Sequence, residues 1–565
     1  MTDFLFNPGL IFLFGAAAVA LLPFSLRRWL ALIIPIISIF YIIGLETGDT
    51  QAANYLGYKL VFLRVDKLSL LWGYIFCIAF GLGVIFAFHQ NTRFQDISAI
   101  IYAGSALGAV FAGDLLTLFI FWEFAAISSV FLIWAGGSSR SYGAGMRYLI
   151  IQISSGLLLF AGMLIRINSQ GIIEFNSIGL ETLAGKLVFV AFGIKCAFPF
   201  LHNWLQDSYP ESTVSGTVFL SAFTTKLAVY ALARGYAGTE LLIYIGAVMT
   251  AFPIFFAIIE NNLRKVLAYS LNSQLGFMVV GIGIGTQLSL NGTACHAFVS
   301  VLYTALLFMS MGAVLYRTGT VNASELGGIY KSMPYTTVFC VVGGMSISAV
   351  PLFSGFVAKS MILSAAAGEG YSITWLVLLM GSVGAMLHSG IKIPYFAFFS
   401  RDSGKRPQEA PINMIVAMGI TAALCLLIGL FPSTLYLALP YPVYYSPYSL
   451  SHVITQLQLL MFSILAFILL IKLGLYQREV SSVNLDFDIF YRRYIPKVIV
   501  FLIKQGMRVS TKIEKLVVKI FFSTSLWIRK HHGLDGILAK THPAGVMVSW
   551  VIGLLLIYLV LYFMG

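Results

Sequence analysis

Runs of about twenty apolar residues, separated by short polar stretches, fill almost the whole chain, and a run of that length crosses a bilayer as a helix. They centre near residues 16, 38, 78, 104, 124, 156, 195, 225, 250, 275, 304, 350, 386, 422, 463 and 553. The pattern predicts an all-α polytopic membrane protein with about sixteen transmembrane helices. One stretch departs from it. Between Pro496 and Lys530, Lys497, Lys504, Arg508, Lys512, Lys515 and Lys519 recur at helical spacing, with Ile499, Leu502, Ile513, Leu516 and Ile520 between them. That is the periodicity of an amphipathic helix lying in the membrane interface. Its roughly 35 residues reach about 50 Å, long enough to brace a neighbouring subunit, and a last span, Val546–Phe563, follows it.

Two apolar runs are interrupted. GIKCAFPFLHNWL places Pro199 just after Lys195, and MSISAVPLFSGFVAKSMIL places Pro351 and Gly355 before Lys359. Proline removes a backbone donor and breaks or kinks a helix. Backbone groups freed at membrane depth are tolerated only against protein or a hydrated cavity. The two lysines stand 164 residues apart (359 − 195), and paired interrupted helices in corresponding halves mark inverted-repeat transporters. The expected organisation is N-terminal helices over 1–94, two inverted repeats with broken helices over 95–235 and 236–405, and C-terminal core helices over 406–480. The lateral helix over 488–532 and a final anchor over 543–563 complete it.

Composition sharpens this picture. The 565 residues are 59% hydrophobic and 10% charged, with mean hydropathy +0.90, which excludes a soluble globular domain. The net charge of +13 reads as basic loops rather than a nucleic-acid surface. Arg27, Arg28, Arg93, Arg140, Arg147, Arg264, Lys265, Arg317, Lys331, Arg401, Lys405 and Arg406 fall in alternate loops. The positive-inside rule places those loops in the cytoplasm and both termini on the far side of the cell (inner) membrane. The first run reads as a retained helix rather than a removed signal peptide. The five cysteines lie in or beside apolar runs without a C-x-x-C pair, and no glycine-rich nucleotide loop occurs. No cofactor or metal is expected, and no active site of an enzyme is visible. Energy must come from an ion gradient or a partner subunit.

Ionisable residues inside spans cost about 2.5–3.5 kcal/mol each on insertion scales and usually mark ion or proton paths. Lys195 and Lys226 sit in this way in Val188–Tyr230, Glu123 in LLTLFIFWEFAAISSVF, and Lys359 in the second broken run. An acid placed near a lysine lets both remain charged. Asp114, at the start of the Glu123 run, reads as interfacial. Ser270, Ser273 and Gln274 suit interhelical hydrogen bonds or a water path. His296 reads equally as a proton relay or as a packing residue. His388 and Lys392 lie toward the cytoplasmic end of their span, where Lys392 is a path exit or a snorkelling side chain. The loop His202–Ser212 carries Asp207 and Glu211, and reads as a proton entry or a plain solvated loop.

Taken together, these residues resemble the antiporter-like membrane subunits shared by respiratory complex I, membrane-bound hydrogenases and Mrp-type cation/proton antiporters. The resemblance rests on FWE at Glu123, GIKCAFPFLHNWL at Lys195, TTKLAVYALAR at Lys226, ENNLRKVLAYSLNSQLGF and VPLFSGFVAKSMIL at Lys359. The core text looks closer to the D-type member of the Mrp set, and the lateral helix looks like the distal members of complex I-like assemblies. The resemblance implies a mid-membrane proton path through Glu123, Lys195, Lys226 and Lys359. It further implies a hetero-oligomeric complex of membrane subunits within membrane lipid, moving protons, with Na⁺ as the candidate exchanged ion. The readings it leaves open are an Mrp-like antiporter, a redox-driven proton pump in a quinone oxidoreductase or hydrogenase, and a non-conducting scaffold. Two motifs depart from the family. Its W-L-P-D-A-H is WLQDSY here, and its H-x-x-x-H-A-x-x-K is reduced to His296, Ser300 and Thr304. Water held by Ser300, Tyr303 and Thr304 is the polar route that remains across that span.

Overall fold

The structure, a computed structural model, describes residues 5–55, 57–474 and 484–564. Its first unit begins with α1 (Gly9–Leu21) and α2 (Phe24–Ile43). A hairpin of β1 (Thr50–Tyr55) and β2 (Tyr58–Arg64) follows, and then α3 (Lys67–Ala87), α4 (Arg93–Val110), α5 (Leu115–Trp134) and α6 (Ser139–Gln170). Next come α7 (Leu183–Lys195), α8 (Asn203–Ser208), α9 (Val214–Ala222), α10 (Thr224–Gly235), α11 (Leu241–Ile259), α12 (Leu263–Ile284) and α13 (Gln287–Thr318). The unit closes with α14 (Pro334–Ile347), α15 (Ser354–Gly368), α16 (Ser372–Ala385), α17 (Ile412–Leu430), α18 (Pro432–Tyr436) and α19 (Leu450–Lys472). The last stretch of the expected 406–480 segment, residues 475–480, lies outside the described residues.

Among the described residues, twelve helices are long and apolar enough to cross a membrane. The protein is a multi-pass, mostly helical membrane protein. Several of the expected crossings are short or broken helices. α1 and α14, with 13 and 14 residues, reach only about 20 Å against a hydrocarbon core of about 30 Å. The hairpin is a further departure from an all-α reading. Lys59 and Arg64 have the sequence setting of a plain loop, but they sit on β2, paired antiparallel with β1. The turn uses Gly57 at φ 83°, a backbone conformation that suits glycine.

The helix ends sort into two faces. On the hairpin face, Arg64 N–H donates to Phe111 O at 2.8 Å, Leu115 to Ile173 O at 2.9 Å, and Ile178 to Gly235 O at 2.8 Å. Asp114 lies here as a buried cap rather than an open interfacial acid: its carboxylate accepts from Thr117 N–H and Val61 N–H, both at 2.8 Å. On the opposite, loop face, Ser141 donates to Glu211 O at 2.7 Å and Thr213 to Gln95 Oε1 at 2.9 Å. The core between the faces is dense in α9, α10, α12 and α13, where the spans are about nine-tenths buried. The α6, α11 and α19 spans show much of their apolar surface, as expected of helices facing lipid.

The second unit, residues 485–565, contains α20 (Ile495–His532) and α21 (Ala544–Met564). α20 begins one residue before the expected Pro496 and runs 38 residues, about 57 Å at 1.5 Å per residue. Lys497, Lys504, Arg508, Lys512, Lys515 and Lys519 all lie on this one continuous helix.

Candidate functional site

Both breaks are built in the same way. α7 ends at Lys195, where Ala197 and Phe200 flank Pro199 at φ 60° and 70°. α14 ends at Ile347, where Ala349 and Leu352 flank Pro351 at φ 56° and 74°. Ala197 N–H donates to Ile194 O at 3.1 Å, Phe198 to Gly193 O at 3.0 Å and Leu201 to Phe198 O at 2.9 Å. The residues 152 further on repeat each bond: Ala349 to Ser346 O, Val350 to Met345 O and Phe353 to Val350 O, all at 3.1 Å. This is a helix C-terminus closed by a left-handed residue, normally glycine. Holding a non-glycine side chain there costs roughly 1–3 kcal/mol and persists only where the surroundings fix it.

The lysines do not share this register. Lys195 precedes its break, while Lys359 follows Pro351 by eight positions (359 − 351). Ile347 stands where the repeat places Lys195 (195 + 152), and Lys359 Nζ donates to its carbonyl at 2.7 Å. At the first break the Trp204 indole donates one residue earlier in the repeat, to Ile194 O at 2.9 Å. The Lys195 side chain reaches α5, where it donates to Trp122 O at 2.6 Å and lies 4.2 Å from the Trp122 ring centroid.

Glu123, the next residue, is within electrostatic reach of Lys195. The sequence suggests a direct pair, but the lysine is bonded to the peptide carbonyl instead. Glu123 Oε1 has no hydrogen-bond partner among the described residues. It packs against Gly156 of α6 so closely that a Cβ there would lie 1.6 Å from it.

A third break, at Phe223 between α9 and α10, carries no proline or glycine and has no signal in the sequence. Lys226 Nζ donates back across it to Ser221 O at 3.0 Å, and Trp72 Nε1 donates to the Lys226 carbonyl at 2.9 Å. Lys195, Lys226, Lys359 and Lys392 are each 1% exposed. Lys392 Nζ donates to Ile258 O at 2.5 Å and Glu260 O at 2.8 Å, at the end of α11. Each ammonium is thus solvated by backbone carbonyl, mostly at a helix end or break.

Two histidines stand between the lysines. His296 is within electrostatic reach of both Lys226 and Lys359, and His388 of both Lys359 and Lys392. The order is Lys226, His296, Lys359, His388, Lys392. His296 Nε2 and Tyr303 Oη are 2.8 Å apart, and the Phe277 ring meets both His296 and Lys359, with centroid distances of 5.8 and 4.8 Å. His388 Nδ1 meets Ser389 Oγ at 2.8 Å, and Ser389 donates to Ser270 Oγ at 2.7 Å. The helix is π-wound from Met386 to Lys392, a rare winding that is frequent at functional sites. Ser300 donates to Ala297 O in its own helix at 2.9 Å. Thr304 Oγ1, Gln274 Nε2, Asn272 Oδ1 and Ser354 Oγ are buried without a partner among the described residues. Such groups cost about 1–3 kcal/mol each unless water satisfies them.

On the loop face, Asp207 is held by Arg147 at 2.6 Å and His202 packs edge-on to Phe252 at 4.6 Å. Glu211 lines a cavity of about 490 Å³ with Gln95, Ser141 and Arg264. Burial pushes its carboxyl above the ordinary range, against the pull of Arg140. Arg264 has the sequence setting of a cytoplasmic loop charge. It is buried, and donates to Pro210 O at 2.9 Å, Ser212 O at 3.1 Å and Thr213 O at 3.0 Å, which fixes the turn into α9.

A bundle with two matched proline breaks and lysines bonded to backbone carbonyls at depth is a polytopic membrane protein with a polar, cationic interior. The resemblance read from the sequence holds: the family model described as "NADH:quinone oxidoreductase/Mrp antiporter, TM" matches residues 112–387. The D subunit of the Na(+)/H(+) antiporter of Alkalihalophilus pseudofirmus is 27% identical over 375 residues, covering 61% of this chain and 75% of that one. NAD(P)H-quinone oxidoreductase chain 4 1 of a Synechococcus strain is 28% identical over 403 residues, covering 66% and 76%. A chain of the archaeal membrane-bound sulfane sulfur reductase superposes with TM-score 0.69 at 22% identity, covering 76% of this chain and 94% of that one. At that identity the likeness shows the fold.

Proposed function

We propose that the chain is the proton-translocating subunit of a multisubunit, Mrp-like monovalent cation/proton antiporter in the cell (inner) membrane. The observation that carries this reading is the line of buried lysines, each bonded to backbone carbonyl and separated beyond Lys226 by histidines. An ammonium at membrane depth is costly, and carbonyl solvation at a broken helix holds it there without a permanent counter-ion. Protons enter from the loop face near His202, Asp207 and Glu211. Glu123 sets whether Lys195 stays charged, and Lys226 passes the proton on. His296, with Tyr303 and water at Ser300 and Thr304, hands it to Lys359, while His388 and Lys392 join that site to the loop face.

In this reading residues 95–235 and 236–405 are the two inverted repeats. Counting each broken pair as one crossing, and α1 as another, gives about sixteen passages. The basic loop face is cytoplasmic and both termini lie opposite. α20 lies flat on the membrane against a second membrane subunit. Its length favours a second reading, a proton pump powered by a redox module, as in a complex I-like quinone oxidoreductase or a hydrogenase.

One experiment separates these. The complex is isolated with its partner subunits, sealed in proteoliposomes with an internal pH dye, and given a Na⁺ or K⁺ gradient. The antiporter reading predicts proton movement opposite to the cation gradient. Movement that appears only with an electron donor and acceptor transfers support to the redox reading, and none in either case supports a scaffold.

A further inference from the structure

A cavity of about 810 Å³ opens beneath the β1–β2 hairpin. Its walls carry Arg64, Asp66, Lys67 and Arg234, and its lining includes Trp72 and Ala294. Neither of these last two is incidental. The Trp72 indole is the group that donates to the Lys226 carbonyl at 2.9 Å. Ala294 lies on α13 beside Thr293, another lining residue, which precedes His296 by one turn on the same helix face (296 − 293). The cavity therefore runs from the hairpin face to the joint between Lys226 and His296, rather than to Lys359. The loop around Tyr441 closes one side of it, tied to Asn291 by reciprocal bonds of 3.0 Å. Arg234 bridges α10 to the start of α3 through Asp66 at 2.7 Å.

We propose that this cavity is a second aqueous mouth of the proton path, giving the Lys226–His296 joint direct access to the hairpin face. It rests on the reading above for its cargo, but not for its access. Its charge bears on direction. Three cations against one acid leave its walls at +2 (3 − 1), a field that opposes entry of any cation, an excess proton included, and so suits release rather than uptake. A proton reaching Lys226 has a way out that does not cross α13.

The test uses the assembled complex with the five native cysteines, all buried, replaced. Single cysteines are placed at Ala294, at Leu290 one turn nearer the mouth, and at Asn54 on the exposed hairpin as a reference for sidedness. Sealed vesicles of both orientations are treated with impermeant methanethiosulfonates, one anionic (sulfonatoethyl) and one cationic (trimethylammonioethyl). Ala294→Cys and Leu290→Cys are expected to label from the same side as Asn54→Cys, faster with the anionic reagent, and labelling at Ala294→Cys is expected to abolish proton flux. The inference is overturned if Asn54→Cys labels while both cavity positions do not, if the cationic reagent is faster, or if labelled Ala294→Cys transports at the unlabelled rate. Flux absent even before labelling overturns the transport reading instead, and the side of labelling still decides access.

Discussion

Lys359→Arg is expected to stop transport although the protein inserts and assembles. Lys359 Nζ is buried on the Ile347 carbonyl at 2.7 Å and faces the Phe277 ring at 4.8 Å. A guanidinium keeps the positive charge at that point but effectively never gives up its proton, so it preserves the charge and removes the relay. Lys359→Ala is expected to stop transport as well, for the opposite reason: the relay and the charge both go, and the Ile347 carbonyl loses its donor. Proton flux from a pH dye, beside the yield of intact complex, reads both variants. The account expects both at the level of empty vesicles. Full flux in Lys359→Arg makes the residue a fixed charge and favours the scaffold reading.

Glu123→Gln and Lys195→Ala are each expected to abolish transport with assembly intact. A carboxylate near a lysine stabilises its charged form, and each unit of such a shift corresponds to about 1.36 kcal/mol. The geometry adds a third variant. Lys195 is bonded to the Trp122 carbonyl and not to Glu123, so Glu123 acts through space and its exact placement matters. Gly156→Ala puts a methyl where Glu123 Oε1 now lies, at 1.6 Å. The carboxylate is the far end of a flexible side chain, so it moves while α5 and α6 keep their packing. Gly156→Ala should therefore lower flux without lowering yield. Native flux in Glu123→Gln removes the pair from the mechanism.

The membrane class, the lateral helix and the two proline breaks were legible because they rest on run length, 3.6-residue periodicity and the missing proline N–H. The identical turn at the two breaks was also written in the sequence, as C-A-F-P-F and S-A-V-P-L. Matching the lysines instead of the prolines gave 164 residues where the backbone repeats at 152. The break before Lys226 had no signal, because Ala222, Phe223 and Thr224 are residues a continuous helix accepts. Arg264 was misread because a basic residue beside a loop looks the same whether it meets water or buried carbonyls. The alternation of His296 and His388 with the lysines depends on α12, α13, α15 and the π-wound segment meeting in space, which no local pattern encodes.

The central claim is that protons pass along the buried lysines, and Lys226 is where the two halves meet. Proton flux in proteoliposomes bearing Lys226→Gln tests it most directly. Glutamine still reaches toward Ser221 O as a hydrogen-bond donor but cannot carry a proton. The account predicts an assembled complex with no more flux than empty vesicles; flux at the native rate contradicts it.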